Sequence, residues 1–293
     1  DFDPTKRIFS TLGQPNWLAS YLVLILPLSI ALIIIAKKIG EKLLFTTGSI
    51  LLFIALIFTN SRAGFVGILT VLIIFAPLLG KKYLTKNIKT LLVIAAIFMI
   101  AIFVFSKPLI SRTKEALGLA KTKSPGTESA QIRLIVWQGA IKVFQKNPLF
   151  GTGPETFAYA YYRKRPESHN QTTEWNFFYN KAHNEFLNYL ANTGSLGTIS
   201  YLTFLIATLI TIFKLSNTQR DIQTTLLAKS AVSSVLGYQL TIFFGFSTVA
   251  TQLVMFLLLA YILVLGQDSN LKTLKIPKLN YGVQTVLAAL TII

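Results

Sequence analysis

The 293 residues are 53% hydrophobic and only 13% charged, with mean hydropathy +0.58 and a formal net charge of +17. A soluble domain carries about a quarter charged residues, so this composition excludes an ordinary soluble protein and places the chain among membrane proteins. The absence of cysteine excludes a disulfide framework and any thiolate metal site. The bases fall in short clusters between apolar runs, a pattern of membrane orientation rather than of nucleic-acid binding.

In chain order, a polar tail leads into a first apolar run at 17–36, followed by runs at 43–59, 63–79 and 91–105. Pro27 and Pro77 lie inside two of them, where neighbouring helices re-satisfy the freed carbonyls. Residues 1–105 are therefore expected to form an N-terminal membrane part of four helices. Residues 106–185 read as one long extramembrane loop. Residues 186–293 read as a second membrane part, with spans at 194–213, 226–246 and 249–265 and an eighth beginning near Tyr281. The fold class expected is all-α, a polytopic transmembrane helical bundle with one long extracytoplasmic loop containing amphipathic helices. The chain opens at Asp1 without methionine and stops inside the apolar run 283–293, so flanking helices are expected on both sides.

The short loops set the orientation. The clusters Lys37/Lys38/Lys42, Lys81/Lys82/Lys86/Lys89, Lys214/Arg220/Lys229 and Lys272/Lys275/Lys278 hold thirteen bases, against the acids Glu41, Asp221 and Asp268. By the positive-inside rule all four face the cytoplasm. The N-terminal tail, the tight turn at 60–62 and the long loop then face the other, extracytoplasmic side.

Within the long loop, 132–145 reads as an amphipathic helix, with Leu134, Trp137, Ile141 and Phe144 on one face and Arg133, Gln138, Lys142 and Gln145 opposite. Ser129 is its expected N-cap and Pro148 its stop. Residues 147–154 are turn-rich, and a second helix is expected over 182–192, ending where Gly194 can cap it.

His183 falls in the first turn of that second helix, where the positive end of the helix dipole disfavours imidazolium. A neutral imidazole is what a general base needs; packing at an interface is the ordinary alternative. Arg62, opening a helix after the tight turn, and Arg133, opening the loop helix, carry the bidentate forks that hold phosphate oxygens. Read singly, each also fits a cation snorkelling to headgroups or lying on a solvated face. The loop has no aspartate, and its six glutamates show no ligand spacing, so neither a metal nor another cofactor is expected. Gly151-Thr152-Gly153 lacks the lysine and hydroxyl of a phosphate loop, and Ser195 with His183 matches no serine-protease motif. The aromatics Tyr159, Tyr161, Tyr162, Trp175, Phe177, Phe178 and Tyr179 suit a membrane-interface belt, with sugar stacking as the alternative.

Five motifs in order resemble one family. His183-Asn184 followed after nine residues by Gly194-Ser195-Leu196-Gly197 is similar to the His-Asn-x9-Gly-x-x-Gly signature of the O-antigen ligase and polymerase superfamily. The segment from Asn147 to Phe157 resembles its Pro-Leu-x-Gly-x-Gly segment, Arg133-x3-Trp137 its loop-helix arginine and tryptophan, Gly13-Gln14-Pro15-Asn16 its Pro-Asn box, and Ser61-Arg62-Ala63-Gly64 its Ser-Arg-x-Gly turn. Val66 stands where the family often has leucine, and Gln14 where it has asparagine. The resemblance covers about residues 7–265. It implies a metal-independent, inverting glycosyltransferase that moves a glycan from undecaprenyl diphosphate to an acceptor hydroxyl at the periplasmic face, as in lipopolysaccharide or other polysaccharide biosynthesis. It further implies His183 as the catalytic base and Arg62 and Arg133 as diphosphate ligands. Asn184, Gly194, Gly197, Trp137, Gly151 and Gly153 would be supporting residues. The expected partners are the carrier-linked donor, a lipid A-core or other glycan acceptor and membrane lipids, with no nucleic acid. A repeat-unit polymerase and a protein oligosaccharide transferase fit the same motifs; a non-enzymatic transporter of lipid-linked sugars is the reading from another class.

Overall fold

The computed structural model describes residues 7–105, 129–217 and 221–266. The expected eighth helix, Arg220 and the Lys272/Lys275/Lys278 cluster lie outside the described residues. Among the described residues every regular element is helical: α1 (Pro15–Ile35), α2 (Ile39–Phe58), α3 (Arg62–Lys81), α4 (Tyr83–Phe105), α5 (Ser129–Lys146), α6 (Phe157–Lys164), α7 (Glu185–Asn217), α8 (Ile222–Phe243) and α9 (Val249–Gly266), with short 3-10 turns at Ser10–Leu12 and Glu167–Gln171. Six of them (α1 to α4, α7 and α8) are long and apolar enough to cross a membrane. The seventh expected span, α9, is as apolar but shorter. The chain is a polytopic helical membrane protein.

α8 is the hub, packed against α1 and α3 and flanked by α7 and α9. Small residues bring α3 and α8 together: a Cβ added at Gly237 would stand 2.7 Å from the Gly67 carbonyl. Close backbone approach of this kind is how helices associate where lipid removes the hydrophobic drive between them. Phe53 stacks on Phe98, and Phe58 meets Phe105 edge-on at 5.3 Å, so α2 and α4 end side by side. The chain therefore reverses between α3 and α4, and it does so at Gly80, where φ is 76°. Asp221 caps α8 by accepting from the Gln223 and Thr224 amides.

The loop has an apolar core of its own, formed by Ile132, Val136, Ala140 and Val143 of α5 with Phe157, Tyr161, Tyr179, Ala182 and Ala191. Three expectations change here. The buried stripe of α5 is not the one containing Leu134 and Ile141, which are 54% and 43% exposed. Both stripes are apolar, but only the other contains Gly139, whose missing Cβ leaves room for the Tyr161 ring and Pro166. Ser129 begins α5 rather than standing before it. Tyr161 and Tyr179 belong to the core rather than to an interface belt, whereas Tyr159, Tyr162, Trp175, Phe177 and Phe178 are exposed.

Candidate functional site

Two of the sequence motifs turn out to be halves of one backbone clasp. Gly194 (φ 64°, ψ −166°) interrupts α7, and in an unbroken helix the Ser195 and Leu196 amides would bond the Ala191 and Asn192 carbonyls. Instead those carbonyls accept from the Thr152 and Gly153 amides, at 3.0 and 2.9 Å. The Ser195 and Leu196 amides donate to the Pro148 and Leu149 carbonyls, at 2.8 and 3.2 Å. Four bonds thus join the two turns across the break, and the Ala191 and Asn192 carbonyls and the Ser195 and Leu196 amides all keep partners. A Cβ at Gly151 would strike the Asn192 backbone and one at Gly194 the Leu149 backbone, which is why glycine stands at both. Gly153 also has positive φ, while Gly197 lies against the Thr193 side chain.

The clasp holds the first turns of α7, whose start is set separately. The expected helix over 182–192 begins instead at Glu185, because His183 has a left-handed φ of 53° that ends helical propagation. Asn184 is the N-cap, its Oδ1 accepting from the Leu187 amide at 3.0 Å. His183 thus stands outside the helix, held by ring edges from Tyr179 and Phe246 at centroid distances of 5.5 and 5.2 Å. It has no hydrogen-bond partner among the described residues. Burial first, and then the charge of Arg133, push its pKa down to about 4. The ring is neutral at pH 7, though chiefly for those reasons rather than through the helix dipole.

Arg62 opens α3, whose N-cap is Ser61: its Oγ accepts from the Gly64 amide at 3.2 Å. Gly64 lets the helix start close against α1, since a Cβ there would sit 2.7 Å from that of Ala19. Arg133 lies on α5 and donates through Nη1 to the Phe244 carbonyl at 3.0 Å. Its pKa is lowered by burial and by Arg62, so the two guanidiniums stand within each other's field. An anion between them converts that repulsion into attraction.

These three side chains line one cavity of about 340 Å³, with Arg7, Gln14, Asn16, Asn60 and Glu174 also in its wall. It opens where α1 and α3 begin, the end at which α2 and α4 finish. The lysines of the α1–α2 and α3–α4 turns are at the opposite end. Arg7 is a third guanidinium in the wall, donating to the Thr59 carbonyl at 2.8 Å and to Asn16 Oδ1 at 3.0 Å. Glu174 supplies the opposing carboxylate and accepts from the Tyr179 hydroxyl. Trp137 does not line the cavity; it meets Phe243 edge-on at 5.8 Å behind Arg133.

Sequence reasoning missed the segment that follows α8. The expected span over 226–246 ends at Phe243, and a non-helical turn runs on from there. That turn presents the Phe244 carbonyl to Arg133 and the Phe246 ring to His183. It is tied down by buried Glu185, whose carboxylate accepts from the Ser247 amide at 3.0 Å, from the Ser247 hydroxyl and from Gln252 Nε2 at 3.4 Å. A carboxylate beside the His-Asn pair was the available signal, but its partners lie more than sixty residues away. Arg7 offered no signal beyond its charge.

The family model described as O-antigen ligase matches residues 47–202, just over half of the chain. No curated protein matches the chain.

Proposed function

The chain belongs to the O-antigen ligase family, and from that premise we propose that it moves a glycan from polyprenyl diphosphate to an acceptor hydroxyl by metal-independent, inverting displacement. The observation that carries this reading is the shared cavity: three guanidiniums and a neutral imidazole face one space at the edge of the membrane helices. The family is one of ligases and polymerases of glycosyltransferase type.

In the proposed step the acceptor oxygen bonds to the anomeric carbon as the bond from that carbon to the diphosphate oxygen breaks. The acceptor proton passes to His183, and the electron pair leaves with polyprenyl diphosphate. Attack opposite the leaving group inverts the anomeric centre. Arg62, Arg133 and Arg7 take up the charge that grows on the diphosphate, where prepositioned donors in a partly dehydrated site act most strongly. Donor binding also prepares the base, because diphosphate charge beside Arg133 offsets the field that suppresses imidazolium. At about 340 Å³ the cavity is near the lower end of ligand pockets, ~300–1,000 Å³. It suits the reacting sugar and diphosphate, with the lipid and the rest of the glycan outside.

A transporter of lipid-linked sugars would need its polar groups near mid-membrane. Here the cations gather at the ends of the helices instead. The orientation signals support placing the cavity on the periplasmic side. The test is transfer from a defined undecaprenyl-diphosphate glycan by the full-length protein in reconstituted membranes. His183→Ala should lower turnover by ~10²–10⁴, the usual worth of a positioned base, with membrane insertion intact. Turnover near the parent level would remove the assignment.

A further inference from the structure

A second cavity, of about 310 Å³, lies within the loop between the C-terminal turns of α5 and α6. Lys146 ends α5, and Arg163 and Lys164 end α6; all three line it, with Asn147, Thr152 and Tyr159. No acidic residue is in its wall. None of the three cations has an ion-pair or hydrogen-bond partner among the described residues. Elsewhere in the same loop bases do find partners: Lys181 pairs with Glu155, and Arg165 donates to the Trp175 carbonyl at 2.9 Å. A helix C-terminus contributes only about half a negative charge, so two of them leave three full positive charges largely uncompensated.

The position of the cavity suggests its use. Its Thr152 belongs to the turn clasped to the Gly194 break, so one backbone unit forms this wall and anchors the helix behind His183. Tyr159, 70% exposed, contacts the exposed ring of Phe178 at 6.2 Å. The next residue back, Phe177, lines the catalytic cavity. Exposed aromatic rings thus run from one cavity to the other, and their faces suit the apolar faces of sugar rings.

We propose that this cavity binds an anionic saccharide of the acceptor, bearing carboxylate or phosphate, and steadies the acceptor chain while its reacting hydroxyl enters the catalytic cavity past Phe178 and Phe177. The acceptor role rests on the function proposed above; the anionic-glycan site is testable without it. Neutral sugar hydroxyls can accept hydrogen bonds from these cations but bring no charge to offset theirs, whereas each carboxylate or phosphate supplies both.

The experiment is calorimetric titration of the full-length protein in phosphatidylcholine nanodiscs. The probes are tetragalacturonate, its full methyl ester and mannopentaose phosphate. One or both anionic probes should bind at least ~10-fold more tightly than the ester, with affinity falling as salt rises. The exposed triple variant Lys146→Gln/Arg163→Gln/Lys164→Gln should lose that ~10-fold margin while keeping the parent elution profile. His183→Ala should bind the anionic probe as the parent does, so loss of transfer and loss of this site are read separately. Equal binding of acid and ester, no binding of either anion, or an unchanged triple variant would overturn the proposal. So would replacement of glycan binding by phosphatidylglycerol, which would assign the cavity to lipid headgroups.

Discussion

The surroundings of the two histidines differ in a way that separates structure from chemistry. His169 is fully buried, and both ring nitrogens are committed: Nδ1 meets the Tyr161 hydroxyl at 2.6 Å and Nε2 the Glu174 carbonyl at 3.1 Å. A carbonyl can only accept, so Nε2 carries the proton and Nδ1 accepts from Tyr161. Burial lowers its pKa as well, so titration alone does not tell the two apart. His183 has aromatic edges around it, a cavity before it and no hydrogen-bond partner among the described residues. One imidazole is a brace for the segment that carries Glu174; the other leaves both nitrogens open to the cavity, as the proposed transfer requires.

Removing each ring in turn should separate the two roles by the largest margin. His183→Ala should cost ~10²–10⁴ in turnover with thermal stability close to the parent. His169→Ala should instead strand the buried Tyr161 hydroxyl and open a void, costing about 2–4 kcal/mol of stability. The folded fraction should turn over within about ten-fold of the parent. The reverse pattern in paired melting and transfer assays would exchange their roles.

Replacing the fork of Arg62 with a single ammonium is the next test. Arg62→Lys keeps the charge but loses bidentate contact, and kcat/KM should fall about 10- to 100-fold. Near-parent activity would make Arg62 a headgroup anchor. A smaller effect is expected at Glu185, which is not in the cavity wall but holds the turn that presents Phe244 and Phe246. Glu185→Ala should lower kcat about ten-fold with KM little changed, and Glu185→Gln, which can still accept from Ser247, should recover most of it. Equal loss in both variants would point to general destabilisation rather than positioning.

Much of the membrane part was legible in the sequence, because a bilayer imposes one long apolar run per span and α1 to α4 each satisfy it locally. The motif residues could be recognised singly, and Arg62, Arg133 and His183 do face one cavity. Why glycine recurs at 151 and 194 could not be read, because the reason is a contact between two turns about forty residues apart. The buried face of α5 was misread for a related reason: two apolar stripes compete on that helix, and the choice falls to Tyr161 and Pro166, which lie outside it. Helix α6 is short and mostly aromatic or basic, so its periodicity says little until α5 packs on it. The turn after α8 reads as membrane helix because its phenylalanines are apolar, although the Phe244 carbonyl and the Phe246 ring face the site.

The proposed transfer depends most on His183 being an uncharged ring whose proton affinity is suppressed by its surroundings. The most direct measurement is the pH dependence of kcat/KM for glycan transfer by the full-length protein, from pH 7.5 down to 5.5. Because the pKa lies at about 4, the neutral form predominates throughout, and the rate constant should stay within about two-fold. An ordinary imidazole, with pKa about 6.5, would be roughly 90% protonated at pH 5.5 and its activity would fall about ten-fold. That fall, absent from His183→Ala, would show an ordinary imidazole at 183 and overturn its suppressed proton affinity.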